Sequence, residues 1–74
     1  MKTAESVLKK AREQDVPVLI LVAKDKCAIE GIVEYFKECV RQDCSPQHLV
    51  EIGKLLVKFE DWKRENPDKM KLPD

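Results

Sequence analysis

The stretch "DVPVLILVAKDK", residues 15–26, decides the fold of this chain, because it interrupts an otherwise helical pattern. Although 38% of the chain is charged, residues 16–23 run for eight positions without a polar side chain. Pro17 disfavours helical geometry at Val16, so a preceding helix is expected to end near Gln14. The short length and the alternating β-branched residues favour a buried extended or β segment at about residues 16–23.

Amphipathic helices are predicted on both sides of this segment. Residues 3–14 place their apolar side chains on one helical face, and Thr3 is a suitable N-cap. Residues 25–42 have the clearest helical period in the chain, and Asp25 is the expected N-cap. Gly31 lies inside this second helix, where its expected role is to allow the close approach of another backbone.

A third helix is predicted over residues 46–64. It follows a break at "DCSP", in which Ser45 is the expected N-cap and Pro46 the first helical residue. The turn between the second and third helices is so short that the two must form an antiparallel hairpin. With an irregular tail at residues 66–74, the sequence predicts a mainly α fold in a single small domain, residues 1–74.

The predicted β segment lacks an obvious partner, and buried backbone groups need hydrogen bonds. We expect it to pair with the same segment of a second chain, which makes the protein a homodimer. The alternative is a monomer in which the tail around residues 69–72 pairs with residues 18–22. A chain of 74 residues also gains from a partner, because its own core is small. The expected dimer interface combines the segment with an apolar strip and an aromatic residue of the third helix: Val18, Ile20, Val22, Val50, Gly53, Val57 and Trp62.

The charge balance restricts the class of partner. The chain has 14 basic and 14 acidic side chains, so nucleic-acid binding driven by phosphate neutralisation is not expected. Eight apolar residues are too few to cross a membrane as a helix, which needs about 20. No secretory signal is recognised, and three cysteines are an odd number for a set of disulfides. A cytoplasmic protein with reduced thiols is the expected result.

The cysteines and the single histidine are the residues with the most chemical potential. A zinc site is not expected, because Cys27 and Cys39 lie about 18 Å apart along one predicted helix. Both are instead expected to be buried as small hydrophobic residues. Cys44 and His48 are the one possible nucleophile–base pair, since a helix N-terminus lowers the pKa of a thiol. No orienting group or oxyanion loop accompanies them, so we predict no catalytic site, no metal and no cofactor.

The order of a strand followed by two helices resembles that of ribbon-helix-helix DNA-binding proteins, over roughly residues 16–60. In that family the outward side chains of the ribbon are polar and read the major groove. Here both faces of the segment are apolar, and no family motif is present. The sequence therefore predicts a small non-enzymatic protein-interaction module or regulator that acts on an unknown protein partner. A ribbon-helix-helix-like DNA-binding regulator is the alternative.

Overall fold

The computed structural model describes residues 3–73, and three α-helices form most of it. In chain order they are α1 (Ala4–Glu13), α2 (Ala28–Arg41) and α3 (Pro46–Glu65), followed by a short 3₁₀ helix at Pro67–Lys69. The prediction of a mainly helical chain is confirmed. No β-strand is formed between residues 3 and 73, where the only ladder contact is an isolated parallel bridge between Asp25 and Lys71.

Helix α1 begins at the predicted cap and ends by a mechanism that the sequence did not reveal. The Thr3 hydroxyl accepts a hydrogen bond from the amide of Ser6 at 3.0 Å. At the other end the Val16 amide donates to the Ala11 carbonyl at 2.8 Å, and Asp15 has a φ of 56°. This is the Schellman arrangement, in which one residue in the left-handed region turns the chain out of the helix. Asp15, and not Pro17 alone, therefore ends α1.

Helix α2 starts three residues later than predicted. Its N-cap is Cys27, which makes no side-chain capping bond. Asp25 still satisfies an amide of this region, because its Oδ1 accepts from the Cys27 N–H at 2.7 Å. The bridge to Lys71 holds the backbone of Asp25 outside the helix, so its carboxylate closes a turn before α2 and does not cap the helix.

The turn between α2 and α3 has the predicted form. The Ser45 hydroxyl accepts from the His48 amide at 3.2 Å, and Pro46 is the first residue of α3. The two helices pack as an antiparallel hairpin, and Tyr35 of α2 lies opposite His48 of α3. The phenol oxygen of Tyr35 is 3.2 Å from His48 Nε2.

The core is small and belongs mostly to α2. Among the described residues only Ala28, Ile32 and Cys39 are buried hydrophobic residues. The apolar face of α3 is half-buried against them. By contrast, no Cα of α1 approaches another helix within 8 Å. The hairpin is thus the packed part of the chain, and α1 stands apart from it.

The prediction that residues 16–23 form a buried β segment is not supported. Residues 16–22 form neither helix nor strand, and most of their side chains are exposed. The prediction of burial is wrong for the single chain, because α1 does not cover the segment and neither helix of the hairpin reaches its outer side. The alternative prediction, in which the tail pairs with residues 18–22, is wrong in its position. The Lys71 amide donates to the Lys24 carbonyl at 2.8 Å, and the Lys71 carbonyl accepts from the Lys26 amide at 2.9 Å.

Candidate protein-interaction surface

The most unusual surface of the molecule is the stretch of residues 16–22, here called the apolar segment. Leu19 is 82% exposed and Ile20 is 67% exposed, although both are large hydrophobic residues. Val16, Val18 and Val22 are each about half exposed. Single exposed hydrophobic residues are common on proteins, whereas a contiguous exposed group of this kind is unusual and makes the segment a candidate interaction surface.

The backbone of the apolar segment also lacks most hydrogen-bond partners among residues 3–73. No intrachain hydrogen bond is formed by the amides of residues 18–24 or by the carbonyls of residues 16–21 in the described part. Only the ends are tied, by the Val16 amide on one side and by the Val22 carbonyl, which accepts from Asp25. The segment therefore offers a row of free donors and acceptors of the kind that pairs with another strand.

Two open grooves flank the segment and meet at Leu19 and Ile52. The first, of about 760 Å³, lies between α1, the segment and the start of α3. Its walls include Val7 and Leu8 of α1 and His48 of α3. The second, of about 440 Å³, lies between the segment, α2 and the middle of α3. Because both grooves are lined mainly by apolar atoms, the segment and its two neighbours form one continuous apolar surface.

Gly31 lies in the wall of the second groove, but it does not allow a close backbone contact as predicted. A Cβ added to it would meet only the Cδ1 of Leu21, at 3.9 Å. That is an ordinary van der Waals distance, so alanine fits there without a shift. The glycine instead leaves the groove slightly wider beside Leu21.

The predicted interface residues fall into two groups that the structure keeps apart. Val18 and Ile20 line the first groove, and Val22 is exposed near the end of the same segment. Val50 and Val57, exposed by 54% and 58%, lie with Gly53 along α3, and Trp62 is half-buried near the end of that helix. The α3 residues line neither of the grooves that meet at Leu19.

Sequence reasoning missed the centre of this surface. Leu19, Leu21 and Ile52 were not among the predicted interface residues. The signal for the first two was present, since the apolar run makes no distinction between its two faces. The position of Ile52 beside the segment depends on tertiary packing, which no local pattern reports.

The cysteine and histidine cluster at the α2–α3 turn has a different chemistry from that predicted. Cys39 is buried as expected, but Cys27 is exposed, because it lies in the turn before α2 and not on its inner face. Burial raises the pKa of the half-buried Cys44 thiol, and the neighbouring Cys39 side chain and the negative charge of Asp43 raise it further. The expected lowering of this pKa by the helix N-terminus is therefore wrong.

His48 does not serve Cys44 as a base in this arrangement. Its Nε2 faces the Tyr35 hydroxyl, and the two rings meet edge to face with centroids 6.1 Å apart. The neighbouring Cys39 side chain raises the pKa of Tyr35, so this phenol is neutral at physiological pH. Among residues 3–73, no three His, Cys, Asp or Glu side chains are grouped so as to hold a metal ion.

Comparison with known proteins gives no match for the chain. It matches no protein-family model, no curated protein and no solved structure. Within the described residues, no helix has both the length and the apolar character needed to cross a bilayer. The geometry of the apolar surface itself is therefore the guide to function.

Proposed function

We propose that this protein is a non-enzymatic protein-interaction module that acts as a homodimer through the apolar segment and the two grooves beside it. The observation that carries this proposal is the combination of exposed apolar side chains and unpaired backbone groups in one segment. Either feature alone is tolerated by monomers. Together they describe a strand edge that lacks its partner.

The dimensions of the chain support a missing partner. Its accessible surface is 6361 Å², whereas a compact monomer of 8.6 kDa exposes about 4,700 Å². The excess of roughly 1,700 Å² is larger than the about 800 Å² that each partner contributes to an interface of standard size. The radius of gyration of 13.7 Å likewise exceeds the about 11 Å expected for this length.

These quantities favour a second copy of the chain as the partner that covers the apolar segment and its grooves. With three buried hydrophobic residues in the described part, the core of one chain is too small to stabilise it well, so folding and association are coupled. The chain has no net charge, so two copies do not repel each other. A two-fold axis near Leu19 would let residues 18–22 pair with their own copy while each groove receives side chains from the partner.

Light scattering on a sizing column tests this proposal directly. We expect a dimer at micromolar concentration, and a stable monomer would refute the proposal. Hydrogen exchange supplies the matching local test. The amides of residues 18–22 should be protected when the protein is dimeric and should exchange rapidly on dilution, whereas the amides in the middle of α2 should change much less.

DNA binding is the less favoured function. The exposed side chains of the segment are apolar, and such a surface does not read the polar edges of bases. An electrophoretic shift assay at low salt separates the two possibilities, because a retarded band that weakens steeply with salt would favour DNA binding. We also propose a reducing compartment such as the cytoplasm, which is supported by three unpaired thiols in the described residues.

A further inference from the structure

The turn between α2 and α3 brings two cysteines together by a definite backbone motif. The Cys44 amide donates to the Cys39 carbonyl at 3.0 Å, and the Asp43 amide donates to the Val40 carbonyl at 3.1 Å. Asp43 has a φ of 59°. These two bonds and the left-handed residue define a Schellman motif, in which the first and last side chains pack against each other. In this chain those two side chains are both thiols.

The distances allow a covalent bond between them. The 3.0 Å hydrogen bond and standard bond lengths place the two Cα atoms within about 7 Å of each other. Disulfides span Cα separations of about 4.4–6.8 Å. The backbone of this turn therefore holds the two residues close to the range of Cα separations that a disulfide spans.

We propose that Cys39 and Cys44 are a disulfide-forming pair that is oxidised by small-molecule disulfides of the glutathione type. This site is independent of the apolar segment, and Cys27 is not part of it. In the first step the Cys44 thiolate attacks the small disulfide, forms a mixed disulfide and releases one thiol. In the second step the Cys39 thiolate attacks the sulfur of Cys44 and releases the second thiol. The chain loses two hydrogen atoms, and the small disulfide is reduced to two thiols.

The exposure of the two residues sets their order of reaction. Cys44 is half-buried and open to a small reagent, whereas Cys39 is buried and can reach only a sulfur atom already in the turn. Cys44 is therefore the attacking residue and Cys39 the resolving one. Such a bond would fix the end of α2 against the start of α3, next to the contact between Tyr35 and His48.

Peptide mapping of the folded full-length chain tests this proposal. Trypsin cleaves after Arg41, so Cys39 lies in the peptide of residues 38–41 and Cys44 in that of residues 42–54. After treatment with glutathione disulfide at mildly alkaline pH, we expect these two peptides to be joined by a disulfide. The joined pair should persist in the Cys27→Ser variant, whose remaining thiols are those of the pair.

A Cys39→Ser variant provides the chemical control. Without the resolving thiol, Cys44 should remain as a mixed disulfide with glutathione, and no joined peptides should form. Urea provides the structural control, since unfolding should lower the ratio of joined peptides to mixed disulfide several-fold. The proposal is overturned if the wild-type chain accumulates the mixed disulfide at Cys44, if oxidation occurs only at Cys27, or if urea leaves the ratio unchanged.

Discussion

Tyr35 and His48 join the two long helices next to their connecting turn, with the phenol oxygen 3.2 Å from the imidazole Nε2. The contact links a residue in the middle of α2 to one in the first turn of α3. It is the side-chain hydrogen bond that spans the hairpin within the described residues, since the others join positions at most four apart in sequence. The contribution of this contact to the free energy of unfolding can therefore be measured separately from that of the hydrogen bonds within each helix.

The first prediction concerns this contact. Tyr35→Phe removes the hydroxyl alone, and we expect it to lower the free energy of unfolding by about 0.5 kcal/mol, since the bond is exposed. Urea unfolding of Tyr35→Phe, His48→Ala and the double variant gives the coupling between the two side chains. A coupling near zero would show that the bond does not form in solution.

The second prediction concerns the proposed dimer. Ile20→Glu places a charge at the centre of the apolar surface, and we expect it to weaken the dimer at least tenfold, because the carboxylate would lose its hydration in the interface. Val40→Glu is the matched control, because Val40 is 53% exposed but lines neither groove. Analytical ultracentrifugation of both variants checks the expectation. Equal dimer affinities would show that the apolar segment is not the interface.

Local features of the fold were predictable from local chemistry, whereas the question of what covers the apolar segment was not. Thr3 and Ser45 cap their helices as expected, because a cap depends only on the next three residues. The burial of residues 16–23 was wrong because it depends on what covers them. Apolar composition shows that a surface avoids water, but not whether α1, the tail or another chain covers it. Leu19 is the clearest case, since it belongs to the segment predicted to be buried and is the most exposed large hydrophobic residue described.

The third prediction uses the left-handed residue at the end of α2. Asp43 has a φ of 59°, a conformation that glycine adopts without steric cost. We expect Asp43→Gly to stabilise the hairpin by about 0.5 kcal/mol and Asp43→Ala to destabilise it. Thermal unfolding followed by circular dichroism distinguishes the two signs. Asp15→Gly at the end of α1 should change the helix content more than the melting temperature, since α1 is not packed on the hairpin.

The fourth prediction concerns the glycine on the exposed strip of α3. A Cβ at Gly53 would meet nothing within 4 Å, so alanine fits without any shift. Gly53→Ala should raise the free energy of unfolding by about 1 kcal/mol through helix propensity alone. Denaturant titrations provide the measurement, at a protein concentration where only one oligomeric state is present. Gly31→Ala is measured under the same conditions for comparison. A loss of stability on Gly53→Ala would show that another chain packs closely on this strip, as the sequence predicted.

The fifth prediction concerns the pH dependence of Cys44. Burial, the neighbouring Cys39 side chain and the negative charge of Asp43 all raise the pKa of this thiol above its usual value. Since the thiolate is the reactive form, alkylation of Cys44 should be slow at neutral pH and should rise through a midpoint above about 8.5. The same shift means that the folded state holds its proton longer than the unfolded state. The contribution of this thiol to stability is therefore fully present below about pH 8.5 and is lost as the pH rises through the folded pKa.

Asp43→Asn separates the charge from the other causes of this shift, because asparagine keeps the left-handed geometry and loses the carboxylate. We expect the midpoint of Cys44 alkylation to move to lower pH in Asp43→Asn and to stay unchanged in Asp15→Asn, which alters the equivalent turn of α1. The modified peptide of residues 42–54 reports Cys44 alone in each mass spectrum. A wild-type midpoint at or below about 8.5 would contradict the raised pKa, because a thiol free of these neighbours already titrates there.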